Sequence, residues 1–284
     1  MAKKLVIVTE TDKNNFDFFN KKILGLSSAE WIVFRIGKIF DCIRFEDKWG
    51  DEKDAVYVSW DNTLVDKHSL SFCHGGVRLC AKTFAFIQEQ LQSIVIENLV
   101  QKGIVFHGRQ GLHIDKTVDI KSGAEIFSPN VFLGNTVISG ETIVYPYCFL
   151  KDCKIGKNCN VGPFATLREG SQVGDGCRVG NFVEIKNSVL ADGTKSAHHA
   201  YIGDATVGEN TNVGCGVVFA NFDGKSKHKT QVGKNCFLGC NTNLVAPLKI
   251  GDDCFVAAGT TVTKDADKNS FVIGRGIQQT RERR

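Results

Sequence analysis

The sequence lacks the patterns of a zinc protein and of a membrane-spanning chain. It contains eleven cysteines, but no two of them are separated by only two residues, so the paired spacing of common zinc sites is missing. Apolar runs such as Leu5 to Val8 and Trp31 to Phe34 are soon broken by charge, and they are too short to cross a bilayer. No signal-peptide pattern is recognisable. We therefore expect a cytoplasmic protein without a membrane partner.

Concentrated positive charge and proline are also scarce. The formal net charge of +4 is spread along the chain, and the only dense basic run is the tail with Arg281, Arg283 and Arg284. A nucleic-acid-binding protein usually clusters lysine and arginine on one surface, so we expect no nucleic-acid partner. We expect the four prolines at corners of the fold, because a hydrogen-bonded strand position needs its N–H.

A six-residue repeat runs from about residue 114 to the end of the chain. This period fits neither a helix, which needs apolar residues about every 3.6 positions, nor an alternating strand. It predicts a parallel β-helix, in which three short strands close one triangular coil and stacked coils share a continuous apolar interior. The length of the repeat region predicts seven or eight coils. The clearest repeat positions are Ile155, Val161, Leu167, Val173, Val179 and Ile185, followed by Val232, Leu238, Leu244, Ile250, Val256 and Val262.

The repeat is interrupted twice where it had been strongest. One interruption lies between Ile185 and Val207, and the other lies between Val213 and Val232. Segments that leave a rigid scaffold often carry binding and catalytic residues. We therefore expect functional residues in both interruptions.

Cysteine and histidine positions are better explained by packing than by metal binding. Four cysteines each follow an aliphatic-Gly pair at the same distance, which predicts an inward-facing site for a small apolar side chain; they are Cys159, Cys177, Cys236 and Cys254. His107 and His113 are six residues apart and could ligate a metal from one face, but no third ligand follows at a matching spacing. We expect no metal site.

Upstream of the repeat the pattern changes. Apolar residues between 83 and 102 recur at helical spacing without glycine or proline, which predicts a connecting helix over 83–103. Residues 1–82 contain the strand-like runs "KLVIVT", "WIVFRI" and "AVYVSW" and predict a small α/β or mixed module. No phosphate-binding loop is present in it. Residues 104–284 are the predicted β-helix domain.

Several blocks within the repeat are more specific than the repeat itself. They read "GPFATLREG" at 162–170, "VGNFVEIKNS" at 179–188, "GTKSAHHAYIGDATVG" at 193–208, "NFDGKSKHKT" at 221–230 and "IGRG" at 273–276. With these blocks, residues 84–284 resemble the acetyltransferase domain of the bifunctional glucosamine-1-phosphate acetyltransferase and N-acetylglucosamine-1-phosphate uridyltransferase family. The resemblance implies a left-handed parallel β-helix and a homotrimer with active sites between subunits.

The resemblance also implies an activity. It is acetyl transfer from acetyl-CoA, without a metal, to the amine of glucosamine 1-phosphate on the way to UDP-N-acetylglucosamine. His198 matches the family's base, and Glu184 matches a carboxylate that orients or polarises it. Asn221 matches the residue that holds the reacting amine, and the Phe222 backbone N–H matches the donor to the oxyanion. His199 falls where the family needs no histidine.

Further matches concern the two substrates. Those implied for the sugar phosphate are Arg168, Lys186, Tyr201, Asn212 and Lys227. Those implied for acetyl-CoA are Ala258, Arg275 and Cys240, the last standing where the family has serine.

Residues 1–82 do not match the family's nucleotidyltransferase domain, which carries a glycine-rich loop and a magnesium-binding aspartate. We therefore predict acetyl transfer without uridyltransferase activity. Two alternatives stay open at this point. One is acetylation of another amino sugar, including a nucleotide-linked one, and the other is a non-catalytic trimeric scaffold.

Overall fold

The computed structural model describes residues 92–280 and, before them, five strands within residues 4–59. Contacts between Cα atoms divide the chain into two units, residues 1–96 with 115–117, and residues 97–114 with 118–284. The domain boundaries expected from the sequence stay predictions. No helix among the described residues has the length and apolar character needed to cross a membrane.

The first unit contains a small parallel sheet. Strand β1 lies between β4 and β5 and runs parallel to both, whereas β2 and β3 form an antiparallel pair. Two of the three predicted strand runs are confirmed, and the run at 31–36 lies outside the described residues. The strands are β1 Lys4–Val8, β2 Lys22–Ile23, β3 Leu26–Ser27, β4 Cys42–Glu46 and β5 Ala55–Ser59.

Helix α1 covers residues 92–101. It confirms the described part of the connecting helix predicted for 83–103, since residues 83–91 lie outside the described residues. Lys102 and Gly103 donate backbone hydrogen bonds to Leu99 and Val100, and Gly103 has a positive φ of 85°. A residue in this conformation is a common helix end, because glycine adopts it at little cost.

Residues 105–272 form a β-solenoid. Its strands are β6 Val105–His107, β7 Leu112–Ile114, β8 Asp119–Ile120, β9 Glu125–Phe127, β10 Asn130–Leu133, β11 Val137–Ile138, β12 Ile143–Val144, β13 Phe149–Lys151, β14 Lys154–Ile155, β15 Asn160–Val161, β16 Thr166–Leu167, β17 Gln172–Val173, β18 Arg178–Lys186, β19 Val189–Leu190, β20 Lys195–Gly203, β21 Ala205–Val207, β22 Asn212–Val213, β23 Val218–Ala220, β24 Thr230–Val232, β25 Phe237–Leu238, β26 Asn243–Val245, β27 Leu248–Ile250, β28 Phe255–Val256, β29 Thr261–Val262 and β30 Phe271–Val272.

The solenoid strands pair in parallel along three faces. Face 1 contains β6, β9, β12, β15, the first halves of β18 and β20, β22, β25, β28 and β30. Face 2 contains β7, β10, β13, β16, the second halves of β18 and β20, β23, β26 and β29. Face 3 contains β8, β11, β14, β17, β19, β21, β24 and β27.

The parallel β-helix of hexapeptide repeats is confirmed. Within the described residues it has about nine coils rather than seven or eight, because the first coil begins with β6 and β7, ahead of the point where the repeat becomes recognisable. Its left hand stays a prediction from the resemblance.

Aliphatic side chains from the three faces fill the interior. In one coil the inward residues are Ile126, Phe132 and Ile138, and all three are fully buried. Stacking at about 4.8 Å places each of them against its counterpart on the next coil. The packing role predicted for Cys159, Cys177, Cys236 and Cys254 is confirmed, because all four thiols are free and buried.

The two predicted interruptions have different outcomes. The first is wrong, because Leu190, Ser196 and Ile202 keep the buried positions and their strands stay aligned with those of the preceding coil. The second is confirmed, since a loop at residues 221–229 leaves the coil between β23 and β24 while both strands keep their pairing with the next coil.

Ser196 is one reason why the aliphatic repeat could not be followed through this segment. Its environment predicts that an apolar substitution here stabilises the protein. Ser196 is fully buried, its hydroxyl has no hydrogen-bond partner, and its aligned neighbours are Val179 and Val213. An unsatisfied buried hydroxyl costs about 1–3 kcal/mol. We therefore expect Ser196→Val to raise the free energy of unfolding by about 1–2 kcal/mol, as measured by urea denaturation.

Ser171 provides the matched control. It is equally buried, but its hydroxyl donates a 2.9 Å hydrogen bond to the Ile185 carbonyl. Ser171→Val removes this bond and is expected to destabilise the protein. Equal effects of the two substitutions would contradict the assignment.

Candidate active site

Three cationic side chains gather where face 2 ends. Arg168 follows β16, and Lys186 ends β18 at the corresponding point of the next coil. Lys227, from the 221–229 loop, lies close to Lys186, and this proximity of a second ammonium group lowers the pKa of Lys186. Two ammonium groups held together favour binding of an anion between them, because an anion relieves their repulsion.

Glu184 and Tyr201 lie on adjacent rungs of the same face. The Glu184 carboxylate accepts a 3.0 Å hydrogen bond from Arg168, which raises the pKa of the guanidinium. At Gly203, a Cβ atom would lie 2.5 Å from the Tyr201 hydroxyl and 2.7 Å from Asn221 Nδ2. Glycine at this position therefore gives the hydroxyl and the amide the space to approach each other.

Asp204 holds Asn221 in place. The Asn221 amide donates to Asp204 Oδ2 at 2.5 Å, and Asn187 donates to Oδ1 at 2.6 Å. Burial acts to raise the pKa of Asp204, but the two hydrogen bonds and the nearby charges of Lys227 and Lys186 lower it overall. Sequence reasoning missed Asp204, although residues 187, 204 and 221 recur at the 17-residue length of one coil.

The 221–229 loop is braced by its own hydrogen bonds. Asp223 accepts 2.7 Å bonds from the N–H groups of Lys225 and Ser226 and from His228 Nε2. The Ser226 bond, with the others, lowers the pKa of this carboxyl. Phe222 and Lys227 form an antiparallel bridge, so the loop returns to the coil as a short hairpin that presents the Phe222 ring to solvent.

A second group of predicted residues lines the corner between faces 1 and 2. Four successive coils each contribute one residue, which lies three positions after the same aligned position of a face 1 strand. These residues are His198, Cys215, Cys240 and Ala258. We call these four residues the corner column. At its far end, Arg275 Nη1 donates a 2.8 Å hydrogen bond to the Ala258 carbonyl.

A cleft of about 380 Å³ lies beside the other end of the corner column. Asn181, which is aligned with His198, is one of its lining residues. The remaining lining residues are Tyr145, Asn160, Gly162, Pro163 and Arg178.

The structure thus brings together most of the predicted residues, in two groups. Asn212 stands apart from the first group, because it lies in β22 on face 1. Within the described part of the chain, Glu184 bonds to Arg168 and no hydrogen bond joins it to His198, so its role toward His198 stays a prediction.

The two histidines considered as metal ligands lie on different faces of the first coil. His107 is in β6 and His113 is in β7. His107 Nε2 bonds to Glu125 at 2.8 Å, and its ring stacks on Phe127 at 4.1 Å. The structure, as far as it describes the chain, contains no cluster of three or more potential metal ligands.

The low pKa of Asp204 predicts a dependence of stability on pH. A carboxyl whose pKa is lowered by folding stabilises the protein above its unfolded pKa of about 3.9 and loses this contribution as the pH falls through its folded value. We expect Asp204→Asn to be less stable than the parent at pH 6, with the difference shrinking below about pH 4. Urea denaturation at several pH values measures this.

Asn187→Ala serves as the control, because it removes one of the two donors and keeps the carboxylate. The stability of Asn187→Ala should still depend on pH, but less strongly than that of the parent protein. A constant stability difference between the parent and Asp204→Asn at all pH values would contradict the role of Asp204.

Comparison with known proteins agrees with the fold. A family model described as bacterial transferase hexapeptide (six repeats) matches residues 152–187 and 229–264. The bifunctional protein GlmU of Caldicellulosiruptor saccharolyticus is 40% identical over 214 residues, which cover 69% of this chain and 46% of the relative. GlmU of Clostridium acetobutylicum is 35% identical over 258 residues, which cover 85% of this chain and 54% of the relative.

This chain therefore spans about half the length of the curated relatives that it matches. Among solved structures, the UDP-N-acetylglucosamine acyltransferase of Francisella novicida is 17% identical with a TM-score of 0.43, over 57% of this chain and 62% of that one. Its coils thus contain the bacterial transferase hexapeptide repeat, and its sequence resembles the part of bifunctional protein GlmU that it matches.

Proposed function

We propose that the protein transfers the acetyl group of acetyl-CoA to the amine of glucosamine 1-phosphate. The observation that carries this proposal is the position of Asn221, whose amide Asp204 holds by a 2.5 Å hydrogen bond close to the charges of Lys186 and Lys227. A sugar phosphate needs cationic donors for its dianion and neutral hydrogen-bonding groups for its hydroxyls and amine. The amide and hydroxyl of Asn221 and Tyr201 supply the second kind.

His198 is the proposed base. The amine must lose a proton as its nitrogen bonds to the thioester carbonyl, and imidazole is the side chain best suited to accept one near neutral pH. Collapse of the tetrahedral intermediate breaks the C–S bond, and the proton ends on the departing coenzyme thiol. The His198 side chain is exposed, so an acceptor can reach it.

The corner column is the proposed coenzyme surface. It leads in a straight line from His198 past Cys215 and Cys240 to Ala258, as an extended acyl-pantetheine arm requires. The guanidinium of Arg275 is fixed at the end of this line and offers a cation to the coenzyme phosphates.

We further propose a homotrimer in which adjacent copies complete each site. Asn212 and Lys186 point outward from two different faces, and outward side chains on two faces of a triangular coil diverge. A substrate that contacts both must therefore meet them on different copies. Face 1 also carries the exposed stack of Phe237, Phe255 and Phe271, with ring centroids 4.8 and 5.6 Å apart, and such apolar stripes are typical of interfaces.

A coupled assay of thiol release and product mass tests the proposal. With acetyl-CoA, we expect turnover of glucosamine 1-phosphate to exceed that of glucosamine and of a nucleotide-linked amino sugar. Lys227→Ala should raise KM for the sugar phosphate at least tenfold, whereas Lys225→Ala in the same loop should not. Absence of acetyl transfer to all three acceptors would contradict the proposal, and sedimentation as single chains would contradict the trimer.

A further inference from the structure

Cys215 and Cys240 are the two free cysteines that are exposed among the described residues. They occupy neighbouring positions in the corner column. On one side of them Val213 is aligned with Leu238, and on the other side Val218 is aligned with Asn243. The two partners are the same number of residues apart in both pairs. Cys215 and Cys240 are therefore opposite each other on adjacent coils.

The backbone around the two cysteines is firmly paired. Gly214 N–H donates to the Leu238 carbonyl at 2.9 Å, and Asn241 N–H donates to the Cys215 carbonyl at 2.7 Å. Adjacent parallel strands are about 4.8 Å apart, which lies within the Cα separation of about 4.4–6.8 Å found in disulfides. A bond between these two residues needs no large backbone movement.

Other cysteines are also stacked on adjacent coils, but they are inaccessible. Cys159 and Cys177 adjoin the aligned pair Asn160–Arg178, and Cys236 and Cys254 adjoin the pair Phe237–Phe255. All four are buried. Thiol exchange requires contact between a thiolate and the incoming disulfide, so among the cysteines whose burial the structure describes the exposed pair is the one that small reagents can reach.

We propose that Cys215 and Cys240 form a surface dithiol that small disulfides oxidise to a bond between adjacent coils. One thiolate attacks the small disulfide and releases its first half as a thiol, leaving a mixed disulfide. The second thiolate then attacks the protein sulfur and releases the other half. Two protein thiols and one small disulfide thus become one protein disulfide and two small thiols, with two electrons transferred to the reagent.

Oxidation of this dithiol does not depend on the proposed transfer reaction, although both cysteines lie on the proposed coenzyme surface between His198 and Ala258. Closing the bond changes the surface on which we place the coenzyme, and that consequence alone rests on the proposed function. Formation of the bond is measured on the protein itself, without any substrate. The two proposals can therefore fail independently.

The test is incubation of the full chain with excess oxidised glutathione, followed by alkylation and mapping of cross-linked peptides by mass spectrometry. We expect a Cys215–Cys240 cross-link that carries no glutathione and is reversed by reduced glutathione. In Cys215→Ser and Cys240→Ser the remaining cysteine should instead carry a stable glutathione adduct.

Cys236→Ser is the matched control, because it alters a buried cysteine four residues from Cys240. It should still form the Cys215–Cys240 cross-link. Recovery of both cysteines of the parent protein as free thiols, or as two separate glutathione adducts, would overturn the proposal.

Discussion

Replacing His198 with alanine is expected to lower kcat for acetyl transfer by about 100- to 10,000-fold, the usual contribution of a general base. The side chain is exposed and buries little apolar surface, so the free energy of unfolding should change by less than about 0.5 kcal/mol. Steady-state kinetics and urea denaturation of the same preparation measure the two effects. Loss of activity together with loss of stability would indicate a structural role instead.

The adjacent histidine provides the control. His199 has a φ of 34°, in the left-handed region that asparagine tolerates well. His199→Asn therefore keeps the backbone conformation and removes the imidazole. We expect its kcat to stay within about threefold of the parent, far from the 100-fold minimum expected of a lost base. Comparable losses in the two variants would contradict the assignment of the base to His198.

Gly180→Ala is expected to lower the free energy of unfolding by about 3 kcal/mol, at the upper end for overpacking. Gly180 lies in β18, where an added Cβ atom would overlap the backbone carbonyl of Ala197 on the next coil. That carbonyl belongs to β20, which is paired with β18 on both sides of the overlap. The coil cannot move away without breaking these pairings. Chemical denaturation measures the change.

Gly276→Ala is the control for this substitution. No atom lies within 4 Å of the position that a Cβ would occupy there, so the variant should unfold at the same urea concentration as the parent. An unchanged midpoint for Gly180→Ala would show that the two coils are less closely packed than described.

The sequence predicted the solenoid because one property, the aliphatic repeat, specifies both the strand and its inward face. Residues such as Val173, Val179 and Ile185 are spaced evenly enough to be recognised without the structure. The repeat failed at Leu190, which comes five residues after Ile185, and at Ser196, which is polar but buried. A pattern of residue types cannot show that backbone pairing continues through such positions.

The candidate site was predicted less completely because its contacts cross between coils. Asp204 meets Asn187 and Asn221 only when three coils are stacked, although their even spacing along the chain was a usable signal. Cys215 and Cys240 gave no such signal, because the 221–229 loop lengthens the coil between them. Matching of individual residues to a family identifies groups that touch a substrate, but not the carboxylate that positions one of them.

The number of coils sets the length of the corner column. Its four positions are separated by coil steps of about 4.8 Å, so His198 and Ala258 are about 14 Å apart along the axis. Removing one whole coil between them would shorten this distance by a single step and leave the geometry at each end intact. The reach of any molecule that spans the two ends is thereby set by the number of coils rather than by the shape of a pocket.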